Sequence, residues 1–158
     1  MVGVRVAERS GAGATADREF VKELGRRCVM PSVASIRPAT ETEARAAFDR
    51  LCEIVDSQLH VTLIAHRDER RIGFLLLLDD LPDEVTSLPQ AFVAYMAVEP
   101  EFRRDGAGAA LLAAAEDEAR RRGLPYMALM VTEENLSARR LYERQGYVTE
   151  RRLLCKPL

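Results

Sequence analysis

Apolar residues fall in two rhythms along this chain, and the places where one rhythm gives way to the other set the order of its elements. Val2 to Arg9 alternates as a strand does. The small-residue stretch SGAGATAD ends at Asp17, which is placed to cap a helix running to about Met30. Pro31 and Pro38 bracket an irregular link, after which Ala44, Ala47, Phe48, Leu51 and Val55 share one face of a helix from Thr42 to Val55. His60 to Arg67 alternates again, DERR turns the chain, and Ile72 to Asp79 is a continuous apolar run of the kind buried on both faces of a sheet. DDLPDEVTSLPQ is a long loop, and loops of that length inside a domain commonly carry function.

Phe92 to Val98 is a further strand, closed by Pro100. A helix from Gly108 to Arg122 stops at Gly123 and Pro125, Tyr126 to Val131 is a strand, and Asn135 to Gln145 is a helix ended by Gly146. Tyr147 to Cys155 is a last extended segment. An alternative start places the first strand at Ser35 to Ala39 and leaves residues 1–33 as an appendage; the cap and apolar face of the early helix favour the longer version. Hairpins followed by strand, helix, strand predict a mixed α/β sheet with one parallel crossover.

Composition adds bounds to that outline. At 158 residues the chain suits a single domain, 1–158, with a core large enough to need no staples. Its formal charge of −2 leaves no unopposed basic block for nucleic acid, because Arg120, Arg121 and Arg122 are answered by Glu116, Asp117 and Glu118. Cys28, Cys52 and Cys155 lack metal spacing and read as reduced structural thiols of a cytoplasmic protein. MVGVRVAERSG carries charge where a signal peptide is apolar, and the runs at 74–78 and 107–115 are too short to span a bilayer, so no membrane partner is expected.

The candidate chemistry lies in PEFRRDGAGAALL, residues 100–112. A helix that starts at Gly108 leaves its first amides unpaired and turns the positive end of its dipole toward what precedes it. Gly106 and Gly108 remove β-carbons that would hold an anion off, and Arg103 and Arg104 bring positive charge to the same place. Together they describe a phosphate cradle. No lysine and hydroxyl follow Gly108 as a nucleotide P-loop requires, and Leu111 stands where a dinucleotide fingerprint needs its third glycine.

Arg103, Gly106 and Gly108 in the spacing RxxGxG resemble the acyl-CoA motif of the GNAT acetyltransferase superfamily. MAVEPEFRRDGAGAALL is similar to that family's fourth strand and following helix, and VTEENLSARRLYERQGY to its fifth strand's end, next helix and turn. These motifs cover about residues 92–150; the first half agrees in element order only. The resemblance implies a mostly antiparallel sheet of six to seven strands, with a bulge in the fourth that splays it from the fifth. It implies acetyl-CoA as the acyl donor, with no metal and no acyl-enzyme, transferring directly to a primary amine. The diphosphate of coenzyme A would lie on the amides of Arg103, Arg104, Asp105, Gly106, Ala107, Gly108 and Ala109. The pantetheine arm would pair with the backbone of Met96, Ala97 and Val98, and an amide there would stabilise the tetrahedral intermediate. Tyr142 would protonate the departing thiolate, and Asn135 would meet the pantetheine arm as well as capping its helix. A homodimer is a further expectation for this chain.

Two departures qualify the match. Asp105 sits at a loop position usually basic or neutral, and AFVAYMAV offers only Tyr95 where relatives carry a base early in the fourth strand. Glu99, Asp79, Asp80, Asp83, Glu84 and Glu133 are the remaining base candidates, while His60 and His66 read as structural. Met130 stands where the branch that acetylates ribosomal protein N-termini has a glutamate, which favours a small-molecule acceptor. The missing base keeps open a non-catalytic acyl-CoA sensor, and more distantly a nucleotide-binding α/β protein.

Overall fold

The computed structural model describes all of residues 1–158. Val2–Val6 (β1), His60–Arg67 (β2), Arg70–Leu78 (β3), Ala91–Val98 (β4) and Met127–Leu129 (β5) form one sheet in sequential order, antiparallel except for the parallel β4–β5 pair. Gly11–Cys28 (α1) and Glu41–Asp56 (α2) cover one face, where Leu24, Phe48 and Val55 pack on Ile64, Phe74 and Leu76. Ala107–Arg121 (α3) covers the other, with Leu111, Leu112 and Ala115 against Leu63, Leu75, Leu77 and Val93. Leu136–Arg144 (α4) adds Leu141 and Tyr142 to that second layer. The unbroken apolar run of β3 follows from its place in the middle of the sheet under both layers.

Helix α2 starts where Thr40 and Glu43 form a reciprocal capping box. Helix α1 starts earlier than its sequence suggests, at Gly11 after Ser10, so Asp17 does not cap it. Asp17 is instead 1% exposed and anchors Arg5 of β1 and Arg71 of β3, each at 2.7 Å, while accepting from the Glu8 amide. Burial alone would raise the Asp17 pKa, but these hydrogen bonds outweigh it and hold the carboxyl well below the usual range. Because the folded pKa is depressed, this hub stabilises the fold above ordinary carboxylate pKa values and is lost as acid protonates Asp17.

The sheet has five strands, not six to seven. After Tyr147 the chain is exposed, and residues 148–158 make no backbone hydrogen bond. Only side chains tether this segment, Arg151 to Asp83 at 2.7 Å and Arg37 to the Cys155 sulfur at 3.2 Å.

The feature that positions the site lies in β4. Its pairing with β3 runs in one register from Val98 to Tyr95 and shifts between Leu76 and Leu77, so Ala94 is an extra, bulged residue. Strand β5 pairs with Ala91, Phe92 and Val93 only, and the two parallel strands part at the bulge. This is the expected splay.

Candidate active site

Which backbone groups face the cleft follows from the β3–β4 ladder. The Glu99 amide donates to the Ile72 carbonyl at 2.8 Å, so Glu99, Ala97 and Tyr95 direct their polar groups to β3. The groups of Met96 and Val98 consequently face the open edge left by β5. Ala97, expected to pair with a ligand, faces β3: a β-carbon on Gly73 would lie 2.9 Å from the Ala97 carbonyl oxygen.

Beyond β4 the six consecutive amides from Arg104 to Ala109 make no hydrogen bond within the protein; the next, Ala110, donates to the Gly106 carbonyl at 2.9 Å. Arg104 and Gly106 both adopt left-handed backbone, φ 68° and 87°, which turns this stretch through a tight reversal into α3. The free amides and the α3 dipole, at the mouth of the cleft, are together of the kind that suits an anion.

The two glycines serve different ends. Gly106 is required by its positive φ, with open space where a β-carbon would sit. At Gly108 a β-carbon would meet the Leu141 Cδ2 at 2.9 Å and the Met96 methyl at 3.9 Å, so this glycine lets α3 approach α4 and β4 closely. Asp105, which weakens the positive charge of the loop, is answered by Arg67 at 3.3 Å. Arg103, itself exposed, folds back along the edge of β4: its Nε donates to the Val98 carbonyl at 3.1 Å and its Nη2 lies 3.3 Å from the Cys28 sulfur. It thus occupies one of the open-edge carbonyls beside the cradle.

On the far wall, Asn135 accepts from the Ala138 amide at 3.3 Å and caps α4. Tyr142, two turns on, packs edge-on to Tyr147 with ring centroids 5.8 Å apart. Burial alone raises its pKa, with no hydrogen bond opposing it, so it is a protonated phenol at neutral pH; the buried hydroxyl left without a partner is that of Tyr147. Opposite it, Tyr95 lies among Phe48 and Phe74 and donates to the Cys28 carbonyl at 3.2 Å.

Most of the candidate bases are already engaged. Glu99 holds Arg27 at 2.7 Å, Asp83 holds Arg151 and Thr86, Glu133 holds Arg139 at 3.2 Å, and Asp79 pairs with Arg122. Asp80 and Glu84 are exposed on the loop that precedes β4, at the opposite end of that strand from the anion-binding turn. His60 and His66 donate locally through Nδ1 to the Gln58 and Asp68 carbonyls. Sequence reasoning passed over Glu134: Ser35 donates to its Oε1 through both amide, 3.0 Å, and hydroxyl, 2.8 Å.

A bulged strand with an open edge, running into a turn of free amides at a helix start, is an arrangement that family comparison can test. The acetyltransferase (GNAT) family model matches residues 30–147. The chain belongs to the GNAT acetyltransferase family. The uncharacterized N-acetyltransferase YhfO of Bacillus subtilis is 32% identical over 112 residues, covering 70% of this chain and 72% of that protein. A putative acetyl transferase from Pyrococcus furiosus superposes with a TM-score of 0.81 at 24% identity over the whole of both chains. The structure of AAC(6')-Iy in complex with a CoA-containing bisubstrate analog superposes at 0.69 with 21% identity, over 100% of this chain and 98% of that one. At these identities the two structures show that the GNAT fold is shared. No helix of this GNAT protein is long and apolar enough to cross a membrane, and no group of three His, Cys, Asp or Glu side chains is arranged to hold a metal ion.

Proposed function

We propose that this protein is a single-domain N-acetyltransferase, residues 1–158, which transfers acetyl from acetyl-CoA directly to a primary amine of a small molecule. The observation that carries the reading is the run of six unpaired amides, Arg104 to Ala109, at the end of a strand whose Met96 and Val98 face an open edge. The residues present fit coenzyme A: an anionic diphosphate suits the free amides with Arg103 and Arg104, and an amide-bearing arm suits the edge of β4. Acetyl-CoA supplies an activated thioester when bound.

The protein's own groups then act on it. Arg103 leaves the Val98 carbonyl for the diphosphate, freeing that acceptor for the arm. Met96 and Val98 hold the arm in register, and Asn135 fixes the start of α4 beside it. Tyr142, protonated and without a protein partner, donates its proton to the leaving sulfur. With Asp79, Asp83, Glu99 and Glu133 all in ion pairs, none of these acids is free to act as a strong base at β4. The amine attacks in its neutral form, and the proton it sheds on becoming an amide passes through water to the Tyr142 phenolate and restores the phenol. We place the protein in the cytoplasm, acting on dissolved acceptors without nucleic acid or membrane, as a monomer or homodimer.

The test is thiol release from acetyl-CoA across a panel of primary amines, with acetyl-CoA affinity measured by calorimetry on the same preparation. Amine-dependent release is the expected result. Tight acetyl-CoA binding with no release for any amine would favour the sensor, a reading that the ion-paired acids keep in play.

A further inference from the structure

We propose that Glu134 selects the acceptor: its carboxylate binds a cationic group that the substrate carries in addition to the nitrogen that reacts. The inference rests on the acetyl-transfer reading above and adds to it a substrate class, amines bearing a second positive charge.

Position comes first. The link between α1 and α2 lies on the sheet face opposite α3, anchored by Val29 in that face's core and by the Tyr95 hydroxyl on the Cys28 carbonyl. The loop between β5 and α4 reaches this link: Thr132 Oγ1 donates to the Ser32 carbonyl at 2.6 Å, and Ser35 holds Glu134. The α3 side of the splay is closed by the contact of Leu141 with Gly108 and by the Tyr142–Tyr147 pair. An amine therefore approaches an acyl group at the bulge from the α1–α2 side, past the bridge that Glu134 helps to form.

Charge comes second. Asp79, Asp83, Glu99 and Glu133 each face an arginine, but Glu134 has no arginine or lysine within ion-pair distance. Its neighbouring cations are engaged elsewhere, Arg139 with Glu133 and Arg37 with the Cys155 sulfur. Both Ser35 donors use Oε1, which leaves Oε2 without a protein partner and fixes its direction. A carboxylate oriented by two neutral donors keeps its full charge for a ligand cation. Its neighbour Glu133, 87% exposed, faces Arg139 at 3.2 Å instead.

The probes are coenzyme A thioethers whose sulfur carries a straight alkyl chain, of graded length, ending either in an ammonium or in a methyl group. They bind without turnover, so no acceptor need be known. Because Glu134 is exposed, calorimetry on the full chain is expected to show, for at least one length, an ammonium-tipped probe binding about threefold tighter than its methyl-tipped partner, the scale of an exposed ion pair. Added salt should shrink that advantage. Glu134→Gln keeps an oxygen for Ser35 and should erase the advantage while leaving affinity for coenzyme A itself unchanged. No preference for the ammonium tip at any length, or a preference that survives Glu134→Gln, would overturn the assignment. Failure of coenzyme A itself to bind would overturn the acetyl-CoA reading and this inference with it.

Discussion

Replacing Tyr142 by Phe is expected to lower turnover with a good amine by about a hundredfold or more, the usual scale for losing a general acid, while acetyl-CoA affinity stays close to that of the parent. The ring packs against Tyr147 and joins the α3-side core, and Phe preserves both contacts. No hydrogen bond bears on the Tyr142 hydroxyl, so its removal strands no buried partner and should cost little stability. What disappears is a phenol that burial keeps protonated at the wall of the cleft. A leaving thiolate then depends on water for its proton. Turnover by thiol release and affinity by calorimetry on the same preparations separate the two effects. A turnover equal to that of the parent would make Tyr142 a packing residue.

Gly108→Val should abolish the rise in melting temperature that acetyl-CoA produces in the parent protein. A ligand bound only to the folded state raises that temperature by an amount that grows with the logarithm of its concentration over its Kd, so the shift reports the site. A β-carbon at 108 lies 2.9 Å from the Leu141 Cδ2, and although the end of a leucine can yield to alanine, the two methyls of valine press on α4 and on Met96 at the open edge. Displacing α4 moves Tyr142 and narrows the cleft between β4 and the helix. The double variant Gly108→Val with Leu141→Ala removes the obstructing side chain and should recover much of the shift, a coupling characteristic of residues in contact. Recovery would place the role of Gly108 in α3–α4 packing. A double variant as unresponsive as the single one would mean that the valine blocks the anion directly.

That distinction marks how far the sequence could be read. RxxGxG predicts an anion site, and the same residues carry a run of free amides, but spacing alone could not say that one glycine answers to backbone φ and the other to a leucine 33 positions later. The helices were legible wherever one apolar face met one core, as in α2, although apolar periodicity begins it at Thr42 and passes over the Thr40–Glu43 box that starts it at Glu41. Asp17 was misread because a helix-capping signal and a buried ion-pair centre look alike until Arg5 and Arg71 arrive from distant strands. The terminal segment carries Leu153 and Leu154 side by side, without the alternation that gives a strand one buried face, and it finds no ladder. The acids near the cleft were visible as candidates, but only folding revealed which of them an arginine had claimed, and so why Glu134 differs from Glu133.

Amide hydrogen exchange along β4 tests the central claim most directly, because it reads the individual backbone groups that coenzyme A is proposed to engage. In the free protein the amides of Met96 and Val98 face the open edge and should exchange fast, while Ala97, bonded into the β3 ladder, should exchange slowly. Adding coenzyme A should slow Met96 or Val98 together with the amides from Arg104 to Ala109, and leave Ala97 as it was. Coenzyme A that binds while all of these amides exchange at unchanged rates would place the ligand elsewhere and contradict the account.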